Sequence, residues 1–324
     1  MSAAASAAAV ALLLAAAGAL VLAGLPDFGG ESPPGPRAAV VGASEDGVYP
    51  ALRTVEEIGT GAEPPRDSGA GVYPALTEPG RLLFPARAAL ERARRWAATR
   101  DGRIAFAVAN RRGGLSGGNP RARFLSASLV KGMLLVAFLR GLEDTGAELS
   151  QSQRLSLGYM IRISDNASAD AIYRRVGDPA LRELAGRAGM RDFRIDGDWA
   201  SATVTPADQA RLFVALDRLL PPRFRQLARN LLETVSPLQT WGIPAAARPR
   251  WRTFFKGGWR PEAGSEVVHQ AALLESGARQ LGIAVMTADD PSMAYGERTI
   301  EGIARRLLAG GGASAFSTVP IRGD

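Results

Sequence analysis

The chain has 324 residues, 46% of them hydrophobic and 22% charged, which is enough apolar material for a sizeable core and a length of about two domains. It has no cysteine and one histidine, His269, which excludes a disulfide framework, a cysteine nucleophile and the usual Cys/His zinc sites, and leaves a Ser-His-Asp triad one available base. The net charge is +7, yet residues 1–84 hold four arginines against nine acids, so the positive charge belongs to the remainder; its arginines are scattered without interleaved aromatics, which argues for solvated faces and against a nucleic-acid surface.

Residues 3–25 carry no charge and are long enough to cross a bilayer, so residues 1–25 read as a signal peptide or an uncleaved membrane anchor, and the chain is expected to be exported, either secreted or held at the cell membrane. Residues 26–84 are rich in Pro, Gly and acids without an apolar period and read as a flexible linker, because such a composition cannot offset its ordering entropy. Within it GVYPAL occurs at Gly47–Leu52 and Gly71–Leu76; two copies are too few for a solenoid, and they read as linker duplication or short docking peptides.

From residue 85 the pattern becomes that of a packed domain, extending to 311, with a Gly-rich flexible tail at 312–324. PARAALERARRWAATR has the period of an amphipathic helix, RIAFAVAN alternates as a strand, and RRGG turns into a second short strand. Helices are predicted at Leu129–Leu142, Ser152–Ile163, Ser168–Arg175, Asp178–Ala188, Pro206–Leu219 and Pro222–Val235, giving a helical part over about 121–240. Strands follow at Thr253–Trp259, Glu266–Glu275 and Gln280–Thr287, the last two joined by a Ser276-Gly277 hairpin signal, and then a helix at Tyr295–Leu308. Strands at both ends with helices between describe an α+β fold whose sheet is built from distant segments, with a cleft beside a helical insertion.

Of 39 basic residues only Lys131 and Lys256 are lysine. A lysine that persists where arginine is the general cation draws attention, because its amine can lose a proton and a guanidinium cannot. Lys131 lies three residues after Ser128 at the start of an apolar helix, so the two side chains share a face and a neutral amine there could take the hydroxyl proton. Ser164-Asp165-Asn166 precedes another helix, and Lys256-Gly257-Gly258 ends a strand-like run in which paired glycines suit close approach of a ligand backbone.

S-x-x-K, S-D-N and K-G-G in this order resemble the penicillin-recognising serine enzymes, and among them the class A β-lactamases. The resemblance covers about 85–311. It implies a five-stranded antiparallel sheet flanked by helices, plus an all-helical domain, with the site between them. By the same resemblance Ser128 is the acylated nucleophile, Lys131 its general base and Ser164 the proton carrier to the leaving nitrogen. Asn166 binds the substrate amide, Asp165 fixes the turn, and Lys256 holds Ser164 and attracts the substrate carboxylate. The strand residues Gly258 and Trp259 border the substrate, and the N–H groups of Ser128 and Trp259 form an oxyanion hole. The substrate would be a β-lactam or a peptidoglycan stem peptide.

Three departures qualify what the resemblance implies. Gly257 stands where Thr or Ser is usual, the Ser128–Ser164 interval is short, and the deacylating Glu-x-x-Leu-Asn loop is missing. Asp196 or Asp198 in the trimmed stretch RDFRIDGDWASATVTP is a candidate deacylation base, against the alternative of solvated turn acids. A lost general base typically costs ~10²–10⁴-fold, so slow deacylation is expected. Two other readings compete: a G-x-S-x-G elbow at Gly114–Gly118 using His269, and a non-catalytic wall-binding module on the same fold. No phosphate-binding loop, dinucleotide fingerprint or metal cluster appears, so no cofactor, metal or nucleic acid is expected, and the chain is expected to be a monomer.

Overall fold

The computed structural model describes residues 84–309 and the backbone of 316–317. The apolar N-terminal run, the acidic linker and both GVYPAL copies lie outside the described residues.

The chain enters through β1 (Phe84–Pro85) and α1 (Arg87–Ala98), whose Leu90 and Ala93 are buried at the spacing the periodicity predicts. It continues through β2 (Arg103–Ala109), β3 (Leu115–Gly118) and β4 (Phe124–Leu125). A single 3-10 turn, Ala127–Val130, runs straight into α2 (Lys131–Asp144). The helical region then comprises α3 (Gln151–Arg162), α4 (Asn166–Ala188), the short β5 (Thr203–Val204), α5 (Pro206–Val214), α6 (Leu216–Leu219), α7 (Pro222–Glu233) and α8 (Ile243–Ala247). Three long strands follow, β6 (Arg252–Glu262), β7 (Ser265–Ser276) and β8 (Arg279–Asp290), and then α9 (Met293–Leu308). A last strand, β9 (Phe316–Ser317), pairs antiparallel with β1.

Five strands form one antiparallel sheet in the order β3-β2-β8-β7-β6. The order joins the N-terminal hairpin to the C-terminal three strands through the β2–β8 pairing, as the α+β reading requires. Gly282 on β8 lets α5 lie directly on the sheet: a Cβ there would stand 2.0 Å from Ala210 O. At Gly302, α9 receives the Trp96 indole of α1, whose Nε1 donates to Thr299 O at 3.3 Å.

Some expectations change. The two helices predicted at Ser168–Arg175 and Asp178–Ala188 are both present within α4, separated by non-helical backbone at Gly177 (φ 66°) with Pro179 just beyond; only the start differs, at Asn166 and not Ser168. Pro206–Leu219 is two helices, because the first ends at Ala215. The β4–β5 pair went unpredicted; each strand has two residues, too few for a period. Ser116 lies in β3 opposite Val108, so Gly114–Gly118 is a hairpin strand and not a strand-to-helix elbow. His269 is fully buried on β7: its Nε2 bonds Leu125 O (3.0 Å) and its Nδ1 accepts from Thr287 N (3.3 Å). Burial pushes its pKa down to about 4. It is a neutral structural histidine with both nitrogens occupied, which removes it as a catalytic base.

Candidate active site

The segment before Ser128 is pinned from both sides. Leu125 is held by His269, and Ser126 N donates to Ala202 O at 2.7 Å, while Ser126 Oγ donates to Trp199 O at 3.2 Å. Between them Ala127 takes φ 45°, a left-handed conformation that costs a non-glycine residue of order 1–3 kcal/mol and persists only where neighbours over-determine it. Ser128 follows, half-buried within the 3-10 turn, and Lys131 begins α2 three residues on.

Lys131 has no exposed surface. Its Nζ donates to Ser164 O (2.5 Å) and Asn166 Oδ1 (2.6 Å), and Ser164 Oγ lies 3.4 Å away. Both close partners are carbonyl oxygens, which only accept. A neutral amine would spend its two hydrogens on them and keep its lone pair for a third direction. Burial brings the Lys131 pKa down to about 7 against the opposing pull of Asp165 and Asp170, so the neutral form is well populated at physiological pH.

Ser164 is itself held with φ 63° at the head of α4, where Asp165 caps the helix by accepting from Ser168 N at 2.7 Å. The strained backbone turns its carbonyl to Lys131, while its hydroxyl receives Lys256 Nζ at 3.1 Å. Lys256 is fully buried mid-strand on β6 and also donates to Gly257 O at 2.8 Å. Burial, reinforced by the Lys131 charge, lowers its pKa well below the ordinary lysine range. The chain's two amines thus meet at the Ser164 hydroxyl.

β6 is set against the turn that bears Ser128 by Gly258. A Cβ at that position would stand 2.6 Å from Leu129 N, 3.0 Å from Ser126 O and 3.1 Å from Ser128 N, so only glycine permits this approach. At Gly257 the nearest atoms to a Cβ would be ring atoms of Trp259 and Trp241 at 3.5–3.7 Å, which is ordinary contact. Those two indoles pack edge to face, 6.3 Å between centroids. Trp241 is held by Gln270 Nε2, which donates to Trp241 O at 2.9 Å.

Asp196 and Asp198 are both exposed, and neither bonds Lys131. Asp198 closes a local turn by accepting from Ala200 N at 2.9 Å. The carboxylates whose charge reaches Lys131 are Asp165 and Asp170, and both are engaged, Asp165 as a cap and Asp170 with the Trp199 indole N–H at 2.8 Å. Trp199, Asp170 and Trp241 were missed by sequence reasoning. The one signal for Trp199 was a large aromatic placed in the polar, trimmed stretch after Asp198.

Residues 153–310 match the model of the β-lactamase enzyme family, a span that holds Ser164, Asn166 and Lys256 and begins after Ser128 and Lys131. No curated protein matches the chain significantly in sequence. Among solved structures, a β-lactamase from Sphaerobacter thermophilus DSM 20745 shares 21% identity at TM-score 0.59, covering 68% of this chain and 95% of that one. A class A β-lactamase representative from Bacteroides cellulosilyticus DSM 14838 shares 16% at TM-score 0.61, over 68% and 98%. PBP-A shares 18% at TM-score 0.59, over 70% and 96%. The fold is that of the class A β-lactamases and their penicillin-binding relatives. In fold the chain is similar to the class A β-lactamases, and residues 153–310 match the family model.

Proposed function

We propose that the chain is a serine acyl hydrolase that is acylated by β-lactams at Ser128 and releases the acyl group slowly. The observation that carries this reading is the meeting of Lys131 and Lys256 at Ser164 Oγ, 3.4 and 3.1 Å away, beside the turn that bears Ser128. Neutral Lys131 takes the Ser128 proton as Oγ attacks the carbonyl carbon. The C–N bond then breaks, and the leaving nitrogen takes the Ser164 hydroxyl proton, which the ammonium of Lys131 replaces. Lys256 keeps Ser164 oriented, and a bound substrate carboxylate would draw its amine to the ammonium form. Asn166 offers its amide to the substrate side chain. The N–H groups of Ser128 and Trp259 stabilise the developing oxyanion; removing one such donor typically costs about 2.7–4 kcal/mol.

Slow release is supported by the missing Glu-x-x-Leu-Asn loop: among the described residues no carboxylate hydrogen-bonds Lys131 or the Ser164 side chain, and the two whose charge reaches Lys131 hold a helix cap and the Trp199 indole. The same site would accept a stem peptide ending in D-Ala-D-Ala. An inert wall-binding module is disfavoured by the intact bonds of Lys131, Ser164, Asn166 and Lys256, since a decayed site has no reason to keep two buried amines. In this reading the protein works outside the cytoplasm, exported or anchored by residues 1–25.

Fluorescent penicillin tests the reading. The expected result is a covalent adduct on the wild-type chain that Ser128→Ala abolishes, with a chromogenic cephalosporin giving a burst followed by slow turnover. Labelling that survives Ser128→Ala overturns the nucleophile assignment, and steady rapid turnover without a burst overturns slow deacylation.

A further inference from the structure

Trp199 caps the site from a direction that the motifs do not describe. Its ring lies over Lys131 Nζ, 4.8 Å from the centroid, and its indole N–H donates to Asp170 at 2.8 Å. The ring is buried, 7% exposed. Its own segment is fastened to the nucleophile turn, since Trp199 O accepts from Ser126 Oγ and Ala202 O from Ser126 N, and Thr203 pairs with Leu125. The ring is therefore fixed from α4 on one edge and from the strand before Ser128 on the other.

We infer that Trp199 is a positioning residue that keeps water off the Lys131 amine, holding it as a ready base for acylation and denying it a water to activate afterwards. This deepens the proposed function and rests on it for its kinetic consequence, while the cover itself is independent of any substrate. Two opposed effects act on Lys131. An aromatic face attracts an ammonium only weakly. Removing an ammonium from water costs more than that attraction returns, so exclusion wins and the neutral amine is favoured. The charges that reach Lys131 are Asp165 and Asp170 from α4, which favour the ammonium; Lys256 from β6 also faces it, and the Lys131 charge pushes the Lys256 pKa down. An exposed carboxylate in place of the indole would both hydrate and charge the amine. A ring tied down by its N–H does neither.

The two-lysine composition makes the test direct. The full chain labelled with [¹³Cε]lysine gives one resonance each for Lys131 and Lys256, assigned with Lys256→Arg, and the Lys131 midpoint is read from pH 5 to 10. The expected wild-type midpoint is about 7. Trp199→Phe keeps it, Trp199→Ala raises it by about one unit, and Asp170→Asn, which can still accept the indole N–H, lowers it. One unit means tenfold less neutral amine at pH 6, so the rate of labelling by fluorescent penicillin at that pH falls about tenfold in Trp199→Ala. If Trp199→Ala does not fold cooperatively, Trp199→Gln, which fills the space with a hydrated group, carries the same expected rise. A midpoint unchanged in Trp199→Ala or Trp199→Gln overturns the inference, as does one that moves equally in Trp199→Phe. A wild-type chain that shows the titration but takes no penicillin overturns the proposed function and leaves the cover on Lys131 standing.

Discussion

Gly258→Ala places one methyl group at the contact that joins β6 to the turn bearing Ser128. Its Cβ would stand 2.6 Å from Leu129 N, 3.0 Å from Ser126 O and 3.1 Å from Ser128 N, where ordinary contact begins at 3.4 Å. All three neighbours are main-chain atoms. They cannot rotate away, and the turn is fixed behind by Ser126 N on Ala202 O and by His269 on Leu125 O. The strand must therefore withdraw from Ser128 by about 1 Å, a displacement that typically costs catalysis ~10²-fold. Overpacking of this kind costs stability only about 1–3 kcal/mol, so the variant should still fold. The assay is the rate constant for acylation by a fluorescent penicillin, with a circular-dichroism melt as the folding control. The expected outcome is a cooperative melt with acylation down about 100-fold. A folded Gly258→Ala variant that acylates at the wild-type rate would refute the argument that this approach sets the geometry at Ser128.

Gly257→Ser tests the neighbouring position in the opposite sense: the nearest atoms to its Cβ are ring atoms at 3.5–3.7 Å, so the Cβ is accommodated at ordinary contact. A hydroxyl there should raise acylation by carboxylate-bearing β-lactams about tenfold, in line with the 1.5–3 kcal/mol typical of a hydrogen bond to a charged group, and an unchanged rate would show that the substrate carboxylate binds elsewhere. Lys131→Arg should be as damaging as Lys131→Ala in the same assay, because a guanidinium does not give up its proton; near-wild-type labelling would end the base assignment. Both lysines titrate below their unfolded range, so between pH 7 and 9 the unfolded chain binds more protons than the folded one and stability should rise with pH. A melting temperature that is flat or falls across that window would show that the native amines are not held neutral.

Much of the scaffold was legible in the sequence. The strand-like runs became β2, β6, β7 and β8, and the helical patterns became α1, α2, α3, α7 and α9; the strands and α2 are buried on both faces over most of their length and stand out as apolar runs, whereas α1 buries one stripe through Ala89, Leu90 and Ala93. The long strands and the hairpin at Ser276-Gly277 extended a few residues beyond their predicted ends, since pairing continues past the apolar stretch that announces it.

The candidate site drew attention for a different reason. Arginine is the general cation of this chain, so its two lysines stood out, and the structure brings both amines to Ser164 and Lys131 to Asn166. No local pattern could say that Lys131 is dry, that its two hydrogens are committed to Ser164 O and Asn166 Oδ1, or that an indole from Trp199 closes over it. Those facts depend on segments far apart in the chain being brought within a few ångströms. Asp196 and Asp198 looked like candidate bases because they are near in sequence to the trimmed loop, yet the charges that reach Lys131 come from Asp165 and Asp170 on α4. Residue types determined which groups could react. Only packing decided which of them lost their water, because desolvation is a property of everything that surrounds an atom and of no single position in the chain.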